Sequence, residues 1–196
     1  MRKSMIVCIS VLVIAFIAAG CSTVSDLSSF MQWEFRMQGV RDVAAAGVRI
    51  SGKKSMSDLS VLDAGKIMFA LKQDSLPVKM VLDVEVRNPN RQTAALNRAE
   101  YIAYLDGNEI FSGSTTSSIK IPGNKVATLP LNVQFDILKL MEGKTQDAIL
   151  NLLFNLAGGS GVPSTLTLKL KPSVSVGRST ISYPGYLEVT TQYGGK

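Results

Sequence analysis

The chain has 196 residues, enough for one domain of ordinary size, and its 21 basic and 15 acidic residues give a formal net charge of +6. It contains no histidine, which removes the usual general base near neutral pH and the commonest metal ligand. Only two cysteines are present, so zinc sites built from cysteine and histidine are excluded. The carboxylates do not follow calcium-loop spacing. The composition therefore predicts no metal, no cofactor, no catalytic residue and no enzymatic activity.

The first residues have the pattern of a secretory leader. Arg2 and Lys3 provide a positive start, and residues 5–19 form an apolar run interrupted by one serine. A membrane-spanning helix needs roughly 20 apolar residues, and this run is shorter. Small residues precede Cys21 in the order Ala-Ala-Gly-Cys, which is the pattern of a bacterial lipobox. We therefore predict that residues 1–20 are a lipoprotein signal peptide, with an ordinary secretory signal as the alternative.

Cys21 is the predicted lipidation site. Cys8 would be lost with the leader, so Cys21 would be a lone thiol in an oxidising compartment unless lipid occupied it. Removing Arg2 and Lys3 from the 21 basic residues leaves 19 against 15 acidic residues, a formal charge of +4. Residues 21–32 are serine-rich at the start and are predicted to be a lipidated tether. The expected location is the bacterial cell envelope, at the outer membrane and facing the periplasm, because serine follows the lipid cysteine.

After the tether, the dominant pattern alternates apolar and polar residues with a period of two, which predicts half-buried strands. Leu166, Leu168 and Leu170 form one such series, and Pro130 in another predicts an edge strand or a bulge. Short turns such as Asp106-Gly107-Asn108 join the runs and require antiparallel pairing. Residues 33–196 are thus predicted to be a single, mainly β domain, an antiparallel β-sandwich of seven or eight strands. The runs from which these seven or eight strands are drawn centre on residues 35–40, 43–50, 80–86, 101–105, 109–111, 119–121, 126–135, 166–170 and 187–189.

Two segments follow helical spacing and are predicted as short insertions near 63–72 and 137–157. In the first, Asp63 is the expected helix cap. In the second, Thr145 is the expected cap and Gly158-Gly159 the expected end, with an interruption at Gly143. The apolar stripe of residues 148–156 is predicted to cover an open end of the sandwich, with docking onto a partner or a lipid as the alternative.

Three fragments imitate catalytic or phosphate-binding motifs. Ser117 with Lys120 and Ser51 with Lys54 match the serine–lysine spacing of penicillin-binding enzymes, but the accompanying elements of those enzymes are missing. Residues 143–145, Gly-Lys-Thr, resemble the end of a phosphate-binding loop without its earlier glycine. We therefore interpret all three as structural segments.

The basic residues are spread along the chain without interleaved aromatic residues, so we predict a solvated surface and no binding of nucleic acid. Weak attraction to an anionic membrane remains an alternative. The residues in question are Lys53, Lys54, Arg87, Arg91, Arg98, Lys120, Lys125, Lys169 and Lys171.

One ordered set of features resembles a known family. Residues 81–90 form a strand that ends in Asn88-Pro89-Asn90, residues 101–107 end in Asp-Gly, and Ile121-Pro122 precedes a further strand. This set resembles the type 2 late embryogenesis abundant family, also called the water stress and hypersensitive response domain. The resemblance implies a fibronectin/immunoglobulin-like antiparallel sandwich without an established active site, and a link to stress tolerance. Asn88, Pro89 and Asn90 are expected to fix a turn.

Two functions follow as hypotheses. The first is a non-enzymatic, membrane-anchored lipoprotein that protects or organises the envelope under stress, with the membrane as its partner through the lipid on Cys21 and a lipid or an envelope protein as a further partner. The alternative is a periplasmic lipid- or hydrophobe-binding protein, with the helical insertions over an apolar groove between the sheets. Burial of the apolar side chains on the insertions favours the first function, whereas an accessible cavity lined by them favours the second. These side chains are Ile67, Met68, Leu152, Leu153 and Leu156.

Overall fold

The computed structural model describes residues 30–115, 117–159, 162–176 and 179–194. The predicted leader and Cys21 lie outside these residues. Within them the chain forms ten strands and three α-helices, with a short 3₁₀ turn at Met56–Asp58. The strands are β1 (Glu34–Ala45), β2 (Val48–Arg49), β3 (Pro77–Asn88), β4 (Ala94–Leu105), β5 (Asn108–Ser114), β6 (Ile119–Ile121), β7 (Lys125–Asp136), β8 (Ser164–Val176), β9 (Ser179–Ser182) and β10 (Leu187–Tyr193). The helices are α1 (Val61–Lys72), α2 (Ile137–Leu140) and α3 (Gln146–Leu156).

The strands form two antiparallel sheets, which confirms the prediction of a mainly β chain with a few short helices. The first sheet has the order β2-β1-β3-β7. The second has the order β10-β8-β4-β5, with β6 beside β4 and β9 beside β8. The buried faces of both sheets contribute to one hydrophobic cluster. The Tyr101 hydroxyl of β4 also donates to the Asn132 carbonyl of β7 at 2.8 Å, so a hydrogen bond joins the two sheets.

Alternating apolar residues form the core, as predicted. In β3, Met80, Leu82, Val84 and Val86 are buried, and the residues between them are partly exposed. In β8, Leu166, Leu168 and Leu170 are fully buried. β7 lies at an edge of its sheet, and this confirms the prediction from Pro130, which has no backbone N–H to donate.

The structure has more strands than the seven or eight that were predicted. Residues 43–50 were expected to be one strand, but β1 ends at Ala45 and β2 begins at Val48. Ala46 and Gly47 lie between them with φ values of 48° and 78°, which is the conformation of a tight hairpin turn. Alanine seldom adopts this conformation, so the residue pair gave no turn signal. The short strand β9 was also not predicted, because serine and threonine dominate its four residues.

Helix α1 confirms the first predicted insertion, with a different cap. The helix begins at Val61, and the Ser60 side chain accepts a hydrogen bond from the Asp63 backbone N–H at 3.1 Å. Ser60 Oγ also donates to the Asp63 carboxylate at 2.9 Å. This bond, followed by one from Lys66, lowers the pKa of the Asp63 carboxyl. Asp63 therefore occupies the third helical position, where an acidic residue favours the helix amino terminus.

Helices α2 and α3 confirm the second predicted insertion and its interruption. Gly143 separates them with a φ of 76°, and Thr145 Oγ1 accepts from the Ala148 N–H at 3.3 Å. Helix α3 ends before Gly158, which has a φ of 99°. Ile149 and residues 152–156 of α3 are buried, so this helix covers the core at one end of the two sheets, as predicted.

The helices define one pole of the domain. Helix α1 connects β2 to the start of β3, and α2 follows the end of β7. At the opposite pole, which we call the amino-terminal pole, Phe30 is 1% exposed and packs edge-to-face against Trp33 and Tyr183 at 5.6 and 6.0 Å between ring centroids. Packing thus extends to Phe30, which the sequence placed in the tether. The two poles are separated by the twelve residues of β1, about 40 Å of strand.

Candidate functional site

A cleft of about 840 Å³ lies between α1 and the α2–α3 segment. Gln146 Nε2 contacts Met68 Sδ at 3.3 Å and joins the two insertions at this cleft. The cleft is at the helical pole, whereas the sequence predicted a groove between the sheets. Its apolar lining comes from both insertions, namely Met68, Leu71, Leu138, Met141 and Ile149.

Charged side chains also line this cleft. Lys72, Lys139 and Lys144 contribute three positive charges, and Asp74 and Glu142 contribute two negative charges. All five side chains are exposed. None of them forms an ion pair with another described residue. The cleft therefore combines an apolar lining with a small excess of positive charge, which suits an amphiphilic molecule.

Asp136 connects α2, which lines the cleft, to the loop that follows α1. Its carboxylate accepts hydrogen bonds from Ser75 Oγ at 2.7 Å, Leu76 N at 3.0 Å and Leu138 N at 3.0 Å. Partial burial alone would raise the pKa of this carboxyl. The three hydrogen bonds, helped by nearby Lys139, outweigh burial and lower the pKa instead. Asp136 thus caps α2 and joins it to the loop that follows α1.

Five side chains on the insertions were predicted to distinguish a structural function from a lipid-binding one, and most of them are buried. Ile67, Leu152, Leu153 and Leu156 are at most 5% exposed and belong to the core cluster. Met68 is half-buried and lines the cleft. Four of the five side chains therefore support the core, and one faces accessible space.

Helix α1 also has an apolar face toward solvent that sequence reasoning missed. Val61 is 94% exposed, Leu62 72% and Phe69 65%, although Ile67 on the same helix is fully buried. The predicted helix began at residue 63, so Val61 and Leu62 were not recognised as helical. With Ser60 as the cap, a helical projection would have placed these three side chains together.

The Asn88-Pro89-Asn90 segment fixes a turn, as predicted. Asn88 is fully buried, and its Nδ2 donates to the Gln92 and Ile121 carbonyls at 2.9 and 3.0 Å. Its Oδ1 accepts from the Asn90 N–H at 3.0 Å. Because Ile121 belongs to β6 of the second sheet, Asn88 connects the end of β3 to the other sheet.

The three motif-like fragments have structural positions. Ser117 and Lys120 are exposed, with Lys120 on β6. Ser51 Oγ accepts from the Val43 N–H at 2.8 Å and so closes the chain around β2. In residues 143–145, the glycine separates two helices and the threonine caps α3.

The predicted basic residues do not gather on one face. Arg87 pairs with Glu34 on the first sheet at 3.2 Å. Lys169 pairs with Glu188 on the second sheet at 3.1 Å. Such exposed pairs contribute little to stability, about 0–1 kcal/mol.

Two further features concern metals and membranes. The described part of the chain has no group of three or more acidic, cysteine or histidine residues placed to hold a metal ion. Among the same residues, no helix is long and apolar enough to cross a bilayer. Cys21, the predicted lipidation site, lies outside the described ranges.

The described residues thus form a two-sheet antiparallel β domain in which the buried Asn88 ends β3, between β1 and β7 in its sheet. The family model described as "Late embryogenesis abundant protein", type 2, matches residues 83–184, from the middle of β3 to just beyond β9. The chain belongs to this family. The match includes α2 and α3 but leaves α1 outside. A comparison with curated proteins finds no match.

Solved structures give weaker likenesses. A protein from Archaeoglobus fulgidus is 15% identical, with 61% of this chain and 86% of that chain covered and a TM-score of 0.37. AT1g01470 from Arabidopsis thaliana is 11% identical, with 59% and 68% covered and a TM-score of 0.43. A proposed late embryogenesis abundant protein, At2g46140.1, is 14% identical, with 91% and 84% covered and a TM-score of 0.41.

Proposed function

We propose that this chain is a non-enzymatic lipoprotein of the bacterial cell envelope. In this proposal, residues 1–20 are removed, lipid is attached to Cys21, and the segment from Cys21 to about residue 29 tethers the domain to the outer membrane on its periplasmic side. The remaining chain is one domain with a fibronectin/immunoglobulin-like arrangement of its two sheets. Two or three acyl chains, at about 0.8 kcal/mol for each buried CH₂, make such an anchor essentially permanent.

The observation that carries this proposal is the burial of the inserted helices. Ile67 of α1 and Leu153 of α3 are completely buried in the cluster that both sheets share. The buried side chains of both insertions therefore stabilise this end of the domain. A rigid domain of this kind, held at a membrane by lipid, suits structural organisation or protection of the envelope under stress.

A genetic experiment tests this role. A deletion strain of the bacterium that encodes the chain is complemented with the wild-type chain or with a Cys21→Ser variant, and survival is measured after drying. We expect lower survival of the deletion strain and rescue by the wild-type chain alone. Equal survival of all strains would reject a role in stress protection. An envelope that is unchanged by electron microscopy would reject a role in its structural organisation.

The cleft favours a second candidate function, the binding of a lipid or another hydrophobe. It has an apolar lining and a volume of about 840 Å³, within the roughly 300–1,000 Å³ typical of small-molecule sites. Native mass spectrometry of residues 22–196, purified from an envelope compartment, tests this candidate. A discrete added mass that is lost in a Met141→Trp variant, which fills the cleft, supports binding. A bare chain after addition of candidate lipids rejects it.

A further inference from the structure

Helix α1 has an outward face with the composition of a membrane-surface helix. At 100° per residue, Val61, Leu62, Gly65 and Phe69 lie on one arc. Lys66 lies at one side of this arc, about 40° beyond Leu62, and Lys72 lies within the arc at the carboxyl end of the helix. Both lysines are exposed. An exposed apolar arc accompanied by lysines is typical of helices that lie in the interface of a bilayer.

The charges on α1 favour an anionic surface. Asp63 is the one acidic residue of the helix. It lies away from the apolar arc, and its carboxylate is already bound by Ser60 at 2.9 Å and Lys66 at 3.2 Å. Lys72 forms no ion pair with another described residue. The outward face therefore offers lysines to phosphate groups without an unpaired carboxylate to oppose them.

The proposed anchor keeps this helix near a bilayer. Cys21 and Phe30 are nine positions apart, and at about 3.5 Å per residue this segment spans at most about 30 Å. Phe30 lies at the amino-terminal pole and α1 at the opposite pole, about 40 Å away along β1. If the strands lie parallel to the membrane, α1 reaches the same surface as the anchor.

We propose that the outward face of α1 rests on the anionic phospholipid bilayer to which Cys21 is attached, so that the domain lies on its side. This inference rests on the proposed lipid anchor. Val61, Leu62 and Phe69 enter the interface between headgroups and acyl chains, and Lys66 and Lys72 contact phosphates. The contact gives the tethered domain a fixed orientation.

Site-specific fluorescence tests this orientation in the full chain. The chain is purified from bacterial membranes and reconstituted into vesicles of phosphatidylcholine and phosphatidylglycerol, or of phosphatidylcholine alone. Single cysteines are introduced as Leu62→Cys or Phe69→Cys and labelled with a polarity-sensitive dye. Val126→Cys is the matched control, because Val126 is also an exposed apolar residue, at 54%, and lies at the amino-terminal pole.

We expect the dye at positions 62 and 69 to shift to the blue in anionic vesicles, with an intensity increase of at least about twofold, and the dye at 126 to stay unchanged. At about fivefold for each lysine, Lys66→Gln with Lys72→Gln lowers the partition into the interface roughly 25-fold. The exposed pair Lys79→Gln with Lys125→Gln serves as the charge-matched control. A blue shift at 126 instead, or at no position, overturns the proposal.

The same samples separate failure of the anchor from failure of this inference. If Cys21 carries lipid, the unsubstituted chain takes up no dye and floats with the vesicles. A chain that takes up dye at Cys21 shows that the anchor is wrong. In that case, Phe69→Cys is made in a Cys21→Ser chain so that position 69 carries the dye alone, and its response when vesicles are added still decides whether α1 contacts the bilayer.

Discussion

Replacing Asn88 by alanine removes a buried connection between the two sheets. The side chain is fully buried, and its amide makes three hydrogen bonds, to the carbonyls of Gln92 and Ile121 and from the N–H of Asn90. Ile121 is itself fully buried, so water does not replace the lost partner of its carbonyl. Gln92 is exposed and Asn90 half-exposed, so their backbone groups can bind water.

The magnitude of this change follows from the three bonds. Each of the two water-accessible bonds contributes about 1 kcal/mol, and the stranded carbonyl of Ile121 costs about 1–3 kcal/mol. We therefore expect Asn88→Ala to lower the free energy of unfolding by about 3–5 kcal/mol. For a domain of this size, about 2–4 °C per kcal/mol predicts a Tm lower by roughly 10 °C.

Urea unfolding of the chain from residue 22 onward measures this difference. Trp33 is the one tryptophan of the chain and is buried, so its fluorescence reports the transition. Asn108→Ala is the matched control, because Asn108 is exposed and its loss is expected to change the free energy by less than about 0.5 kcal/mol. A loss for Asn88→Ala as small as that of the control would refute the assignment of Asn88 as an internal bridge.

Three further changes test other parts of the structure, each by the same urea unfolding. Leu153→Ala removes a completely buried side chain of α3 and is expected to cost about 2–5 kcal/mol, whereas Leu62→Ala on exposed α1 stays within about 0.5 kcal/mol. Gly123→Ala is expected to cost about 1–3 kcal/mol, because a Cβ atom there would lie 2.1 Å from a backbone carbonyl oxygen, and Gly185→Ala, which meets open space, does not. Because folding lowers the pKa of Asp136, its carboxylate stabilises the fold above the unfolded pKa of about 3.9, and this stability disappears as pH falls through the folded pKa. Asp136→Asn is therefore expected to be less stable than wild type by about 1 kcal/mol at pH 7. This difference in stability is expected to disappear at pH values below the folded pKa of Asp136. A difference that does not change with pH would contradict this.

The strands could be predicted wherever one side of a strand faces the core, because period-two alternation directly reports that burial. This holds for Leu166, Leu168 and Leu170, and for the alternation of buried and exposed residues in β3. It fails at Ala46, where the tertiary structure places a non-glycine residue at positive φ. The start of helix α1 was also predicted wrongly. Ser60 and Asp63 are both acceptable helix caps, and only the structure shows which of them binds the free N–H groups.

The candidate surfaces were harder to predict, because they depend on which distant segments come together. Met68 and Gln146 are 78 positions apart, and no local pattern relates them. The apolar face of α1 was within reach of sequence reasoning. A helical projection that starts after Ser60 places Ile67 and Phe69 on different faces of the helix. Because the helix was predicted to start at residue 63, Val61 and Leu62 were left out of that projection.

The central claim is that lipid on Cys21 holds this late embryogenesis abundant domain at a membrane. Intact mass spectrometry of the full-length gene product, isolated from bacterial membranes and followed by fragmentation, tests it most directly. The account predicts a chain that begins at Cys21, with the added mass of acyl and diacylglyceryl groups located on that residue. A chain that retains residues 1–20, or one with an unmodified thiol at Cys21, would contradict it.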